Sequence, residues 1–177
     1  MGGQDKARLT GADALPLLRR TLDALRAAGA THLLVAAGDD PQRLSDLDLG
    51  PSVRLLPDAP PGHGPLGGLA AVLAAAEHPW VLVVATDMPS LDPALLRELL
   101  VAAQEHGPPA LIPKVEGTLQ PLHAAWHTDT LPAIEAALAA KHLALHRLAR
   151  DLGADTPTYP ASDSYRSVNT PEDLEAL

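Results

Sequence analysis

The sequence predicts an α/β fold, a mainly parallel sheet covered by helices, on three observations. The run Trp80-Val81-Leu82-Val83-Val84-Ala85 is apolar without alternation, as expected of a strand buried on both faces. Segments of helical period alternate with such short apolar runs along the whole chain. Polarity then arrives abruptly at Thr86 and Asp87, and Pro89 blocks any further ladder. Open α/β sheets bind ligands outside the carboxyl ends of their strands, so Asp87 stands where a metal or a phosphate-bearing ligand is expected.

The elements follow in order. Residues 12–28 read as a helix, with Leu15, Leu18, Leu22 and Leu25 at spacings of three and four, Pro16 in the first turn and Gly29 as the stop. Residues 32–37 read as a buried strand, 41–47 as a short helix and 53–56 as a strand ended by Pro57. Residues 58–68, rich in Pro and Gly, read as a loop, and 69–77 as an Ala-rich helix able to pack closely on a sheet. After the strand at 80–85, residues 93–106 form a helix capped by Ser90 or Asp92. Residues 110–112 and 122–126 read as strands flanking a turn at Glu116-Gly117. Residues 130–140 and 143–152 read as helices, 157–159 as a strand and 170–177 as a final helix.

Composition narrows the function. A chain of 177 residues with 46% hydrophobic and 20% charged content is long enough for one domain and too apolar for disorder. Without Phe, the core is built from Leu, Val and Ala, with Trp80 and Trp126 as large fillers. A net charge of -9 argues against nonspecific nucleic-acid binding. The absence of Cys excludes disulfides and thiolate metal sites. No run approaches the roughly 20 apolar residues of a bilayer span, and no signal peptide is visible. A cytoplasmic protein with no membrane and no nucleic-acid partner is expected.

The chain opens on Met1-Gly2-Gly3-Gln4-Asp5-Lys6, which looks like the tail of a phosphate-binding loop. Four further segments follow in order: Asp58 with Pro61-Gly62-His63-Gly64-Pro65-Leu66-Gly67-Gly68, then Thr86-Asp87-Met88-Pro89, then Gln120-Pro121-Leu122-His123, then Val168-Asn169-Thr170-Pro171-Glu172-Asp173-Leu174. Together they resemble the molybdenum cofactor guanylyltransferase family (molybdopterin-guanine dinucleotide biosynthesis protein A) across nearly the whole chain. The resemblance implies a Rossmann-like nucleotidyltransferase fold in a single domain. It also implies that a first, mid-sheet strand and the front of the phosphate loop are missing ahead of Met1, as from a translation start placed too far downstream. Two positions depart from the family pattern: Ser167 and Ala36 stand where some members carry asparagine.

The implied reaction is transfer of GMP from GTP to the phosphate of molybdopterin, with release of pyrophosphate and with Mg²⁺ as the cofactor. The resemblance gives Asp87 the metal and a catalytic role, and gives Lys6 the nucleotide phosphates and a catalytic role. It gives Asp58 the guanine nucleotide, and Gly3, Gly64, Gly68 and Asn169 the molybdopterin side. GTP and molybdopterin are the implied partners, together with other proteins of molybdenum cofactor biosynthesis. On the residues alone other readings stay open. Asp87 could cap the next helix, Asp58 could form a turn beside Pro57, and Asn169 could cap the last helix. Lys6 could be solvated, and Gly64 and Gly68 could belong to an ordinary loop entering a helix. Two alternatives to the whole function remain: a non-catalytic nucleotide-binding remnant, and a related cytidylyl or sugar-phosphate nucleotidyltransferase. His123 and His127, like His142 and His146, are four residues apart, but no HExxH pattern accompanies them, and core or surface roles are expected.

Overall fold

The computed structural model describes residues 6–10, 15–107, 109–168 and 173. Helix α1 (Leu17–Ala27) starts after Pro16, whose extended backbone (φ -59, ψ 142) turns the chain into the helix. It buries Leu18, Leu22 and Leu25, and Gly29 at φ +101 ends it. Strand β1 (Leu33–Ala36) pairs in parallel with β2 (Val53–Leu56), from Leu33↔Val53 to Ala36↔Leu56. Helix α2 (Gly64–Ala75) follows, then β3 (Trp80–Val84) and α3 (Pro93–His106). The Asp92 carboxylate caps α3 by accepting from Ala94 N–H at 2.8 Å.

Four strands then come in quick succession: β4 (Ala110–Leu111), β5 (Lys114–Val115), β6 (Thr118–Leu119) and β7 (His123–His127). Glu116 and Gly117, both at positive φ, turn the chain between β5 and β6. Helices α4 (Leu131–Ala139) and α5 (Leu145–Asp151) and strand β8 (Thr158–Tyr159) complete the order, with short 3-10 turns at Lys6–Arg8, Pro41–Leu44, Thr128–Thr130 and Asp163–Tyr165. The final helix expected over 170–177 falls outside the described residues except for Asp173.

The ladders are β1-β2, β3-β7-β4 and β6-β5-β8. Strand β7 runs antiparallel to both β3 and β4, so those two share a direction, and β5 pairs in parallel with β8. The parallel pairing expected from the sequence thus has one reversed strand inserted, because the Glu116-Gly117 turn sends the chain back.

Two apolar clusters sandwich these strands. On one side α2, α4 and α5 pack with Trp126, Leu56 and Ile112, and receive Leu34, Val81 and Val83. On the other, α1 and the head of α3 pack with Leu33, Val35, Met88 and Leu91, and receive Leu82 and Val84. Side chains of β1 and β3 therefore alternate between the same two layers. His32 and Glu77 meet at 3.7 Å at the amino ends of β1 and β3, while Ala37 and Met88 share a cluster at the carboxyl ends. The two strands thus run the same way, yet neither pairs with the other. Between them lies a cavity of about 680 Å³. Both faces of β3 are thus covered by apolar layers, as the unalternating run predicts, yet every residue of β3 is half-buried, because its open edge borders the cavity.

Candidate active site

The carboxyl ends of the strands meet at the mouth of this cavity. Asp87 lies just past β3, half-buried, and lines the mouth together with Gly38, Asp58, Gly64 and Gly68. The helix-cap alternative for Asp87 is removed, since Asp92 fills that role. The Asp87 carbonyl accepts from Val168 N–H at 2.7 Å, which ties the segment leading toward Asn169 to the site. Val168 itself is fully buried against Leu17.

Asp58 follows β2 and is anchored across the mouth. Its carboxylate accepts from Gly38 N–H at 3.1 Å, and its own N–H donates to the Gly38 carbonyl at 2.9 Å. This reciprocal pair extends the β1-β2 ladder beyond its last register and fixes the carboxylate at the strand ends. Gly38 adopts φ +71, a conformation that glycine adopts without strain.

The glycine-rich segment is not a loop entering a later helix, as the sequence suggested. Helix α2 begins at Gly64, five residues before the expected start, with Pro65 in its first turn. Gly68 is thereby a helical residue whose missing Cβ would lie 3.1 Å from the Ala36 methyl and 3.5 Å from Asp58 Oδ1. At Gly67 an added Cβ would come within 2.8 Å of the Pro60 carbonyl oxygen. The loop carrying Asp58 is pressed against the first turns of α2, and only glycine permits that approach. Gly38 and Gly67 belong to the site and carry no separate signal in the sequence; their roles depend on contacts across the chain.

Lys6 lies in the first 3-10 turn, whose Ala7 is buried in the cluster holding Ala37 and Met88, beside the strand ends. Gly3 and Asn169 lie outside the described residues. Ala36, at the end of β1, is exposed and abuts Gly68.

The histidines separate as their types suggest. His142 and His146 are exposed. His123 is fully buried, stacked on Tyr165 at 4.4 Å between ring centroids. Neither of its ring nitrogens meets hydrogen-bond geometry, although the nearby Ser164 backbone slightly favours the protonated ring. Burial prevails and lowers its pKa to about 4, so the ring is neutral at pH 7. Among the described residues no group of three or more His, Cys, Asp and Glu is placed to hold a metal. Asp87 carries hard carboxylate oxygens at the mouth, of the kind a divalent cation takes beside phosphate and water oxygens.

The Rossmann-like layering is that of the nucleotidyltransferases, with Asp58 and Asp87 at the carboxyl edge of its strands. The crystal structure of molybdopterin-guanine dinucleotide biosynthesis protein A from Archaeoglobus fulgidus matches this fold with a TM-score of 0.77, at 22% identity, over 97% of this chain and 88% of that one. A probable molybdenum cofactor guanylyltransferase from Natronomonas pharaonis is 36% identical over 99% of this chain and 89% of its own length. The family model of the MobA-like NTP transferase domain matches residues 1–156. The chain belongs to this family of nucleotidyltransferases, alongside the molybdenum cofactor guanylyltransferases. A second solved structure, Rv0371C from Mycobacterium tuberculosis in complex with manganese, shares the fold with a TM-score of 0.68 at 18% identity, over 99% of this chain and 94% of that one. Among the described residues no helix is long and apolar enough to cross a membrane.

Proposed function

We propose that this chain transfers GMP from MgGTP to the terminal phosphate of molybdopterin. A phosphate oxygen of the acceptor attacks the α-phosphorus of GTP, the α–β bridging bond breaks, and pyrophosphate leaves with the bond's electron pair. The acceptor phosphate is already anionic at neutral pH and needs no general base. This agrees with a neutral, fully buried His123. What the protein must supply is in-line positioning and neutralisation of phosphate charge.

The observation that carries the reading is the placement of Asp58 and Asp87 at one mouth, beside the close-packed glycines of α2. Asp87 holds Mg²⁺, which supplies positive charge to the triphosphate. Asp58, fixed by Gly38, orients the guanine nucleotide. Lys6 meets the nucleotide phosphates as a point charge. Gly64, Gly68, Gly3 and Asn169 form the wall that receives molybdopterin. GTP is an intracellular nucleotide, which puts the reaction in the cytoplasm.

The test is Asp87→Asn, assayed for guanylyl transfer and, by titration calorimetry, for Mg²⁺-dependent GTP binding. The expected result is a loss of about 100-fold or more in transfer, a size typical of removing one charge-stabilising group, and loss of the Mg²⁺ dependence of binding. The circular dichroism spectrum stays unchanged. A variant that keeps both its rate and its metal dependence removes Asp87 from the mechanism.

A further inference from the structure

The 3-10 turn Lys6–Arg8 has three residues, too few to hold a direction by itself. Just beyond it, Leu17 N–H donates to the Leu9 carbonyl at 2.9 Å. Beneath it, Ala7 is buried in the cluster of Ala37, Leu44 and Met88. A single methyl fixes a position but not an orientation. Arg8 supplies the orientation. Its Nη1 and Nη2 donate to the two carboxylate oxygens of Asp46, at 2.9 and 2.5 Å. Nη2 also donates to the Arg43 carbonyl. A planar fork on two oxygens sets an angle as well as a distance.

The fork grips a rigid piece of chain. The turn Pro41–Leu44 is capped by the Asp40 carboxylate, which accepts from Gln42 N–H at 3.0 Å. Ser45 N–H and Leu47 N–H close onto the Gln42 and Leu44 carbonyls, and Leu44 is buried. Arg43 Nε donates to the Ala37 carbonyl at 3.0 Å, one residue before the Gly38 that holds Asp58. Hydrogen bonds therefore run from Arg8 through Arg43 to the end of β1 and the mouth. Arg8 also holds the Asp46 carboxyl below the ordinary carboxylate range, so the pair is ionised at neutral pH. The two side chains are 37% and 67% exposed, and ion pairs so exposed stabilise a fold little. What the pair supplies is direction.

We propose that Arg8 and Asp46 form a clamp that sets the direction in which the first turn presents Lys6 to the nucleotide phosphates. Both are positioning residues: they act through Lys6, and the proposal rests on the reading of Lys6 given above. Charge alone predicts the opposite sign for one half of the pair. MgGTP carries net negative charge, so removing the Asp46 carboxylate would by field alone strengthen its binding. Releasing the clamp weakens it.

The full chain and its Arg8→Gln, Asp46→Asn and doubly substituted variants are assayed for guanylyl transfer with each substrate varied in turn, and melted. Each variant is expected to raise KM for MgGTP about fivefold or more, as misplacement of a binding group does. The double variant is expected to be no worse than the worse single, since both break one contact. KM for molybdopterin is expected to stay within about twofold, and Tm within about 3 °C. Lys6→Ala is expected to raise KM for MgGTP as well, and Asp46→Asn added to it to change nothing further. A KM for MgGTP that falls or stays level in Asp46→Asn, additive effects in the double variant, an equal rise for both substrates, or a further rise on the Lys6→Ala background would each overturn the clamp while leaving Lys6 its role. An unchanged KM in Lys6→Ala overturns the reading of Lys6 itself, and the clamp with it.

Discussion

The two flanks of the central gap are held together by different forces. On the β3 flank, five residues of β3 are paired along β7, and behind them Ala124, Ala125 and Trp126 are fully buried. The Trp126 indole N–H donates to the Pro121 carbonyl at 3.0 Å, so even its polar atom is satisfied. On the β1 flank the ladder has two strands among the described residues, and a two-stranded unit is marginal by itself. Its outer margin is tied by arginines instead. Arg26 donates to the carbonyls of Leu49 and Pro51 and to Asp23, and Arg19 bridges Asp23 and the Asp48 carbonyl. One flank is stabilised by apolar burial, the other by polar straps over a thin sheet. The two carboxylates at the cavity mouth are divided between them, Asp87 on the first and Asp58 on the second.

Three measurements sharpen that contrast. Trp126→Ala removes a fully buried indole from the β3 flank and is expected to cost about 3–5 kcal/mol in urea denaturation. A loss below about 1 kcal/mol contradicts the apolar account of this flank.

The pH dependence is next in size. His123 is also on β7, and its folded pKa of about 4 lies below its ordinary 6.5. The unfolded chain therefore binds the proton more readily, and stability falls as pH drops from about 6.5 toward 4. The loss is about 3 kcal/mol at most, at 1.36 kcal/mol per pK unit. Tm measured across that window should fall steeply for the parent chain and less steeply for His123→Phe. Parallel curves for the two proteins remove His123 as the cause.

The smallest effect is on the β1 flank. Arg26→Ala loses hydrogen bonds that are partly solvated and is expected to cost about 1 kcal/mol. It should also increase amide exchange in β2 while leaving β7 unchanged. Equal exchange in both strands means that the flanks unfold as one unit.

Much of this arrangement is legible in the sequence, and the illegible parts have physical reasons. Strand β2 and helix α3 fall where expected, because Pro57 and the Asp92-Pro93 pair are local stop and start signals. The start of α2 is not legible. Gly64, Gly67 and Gly68 have poor intrinsic helix propensity, and they are helical because the Asp58 loop and Ala36 pack against them. The direction of β7 leaves no trace in a pattern of apolar residues, which reads the same in either sense. The two-residue strand β6 is too short to show a period at all. The position of Asp87 just past the end of β3 is legible because a strand end is a local event. The anchoring of Asp58 by Gly38 joins residues 20 positions apart, and no local rule contains it.

The scarcity of aromatic residues has a practical consequence. The chain has two tryptophans, and they occupy consecutive register pairs of one ladder in opposite surroundings. Trp126 is sealed in the interior, whereas Trp80 is half-exposed on the rim of the central cavity, edge-on to His127 at 5.0 Å. Intrinsic emission is therefore a sum of one blue, quencher-shielded fluorophore and one that senses the groove. With no phenylalanine and only two tyrosines to complicate the spectrum, a spectral shift without added label reports events at that rim.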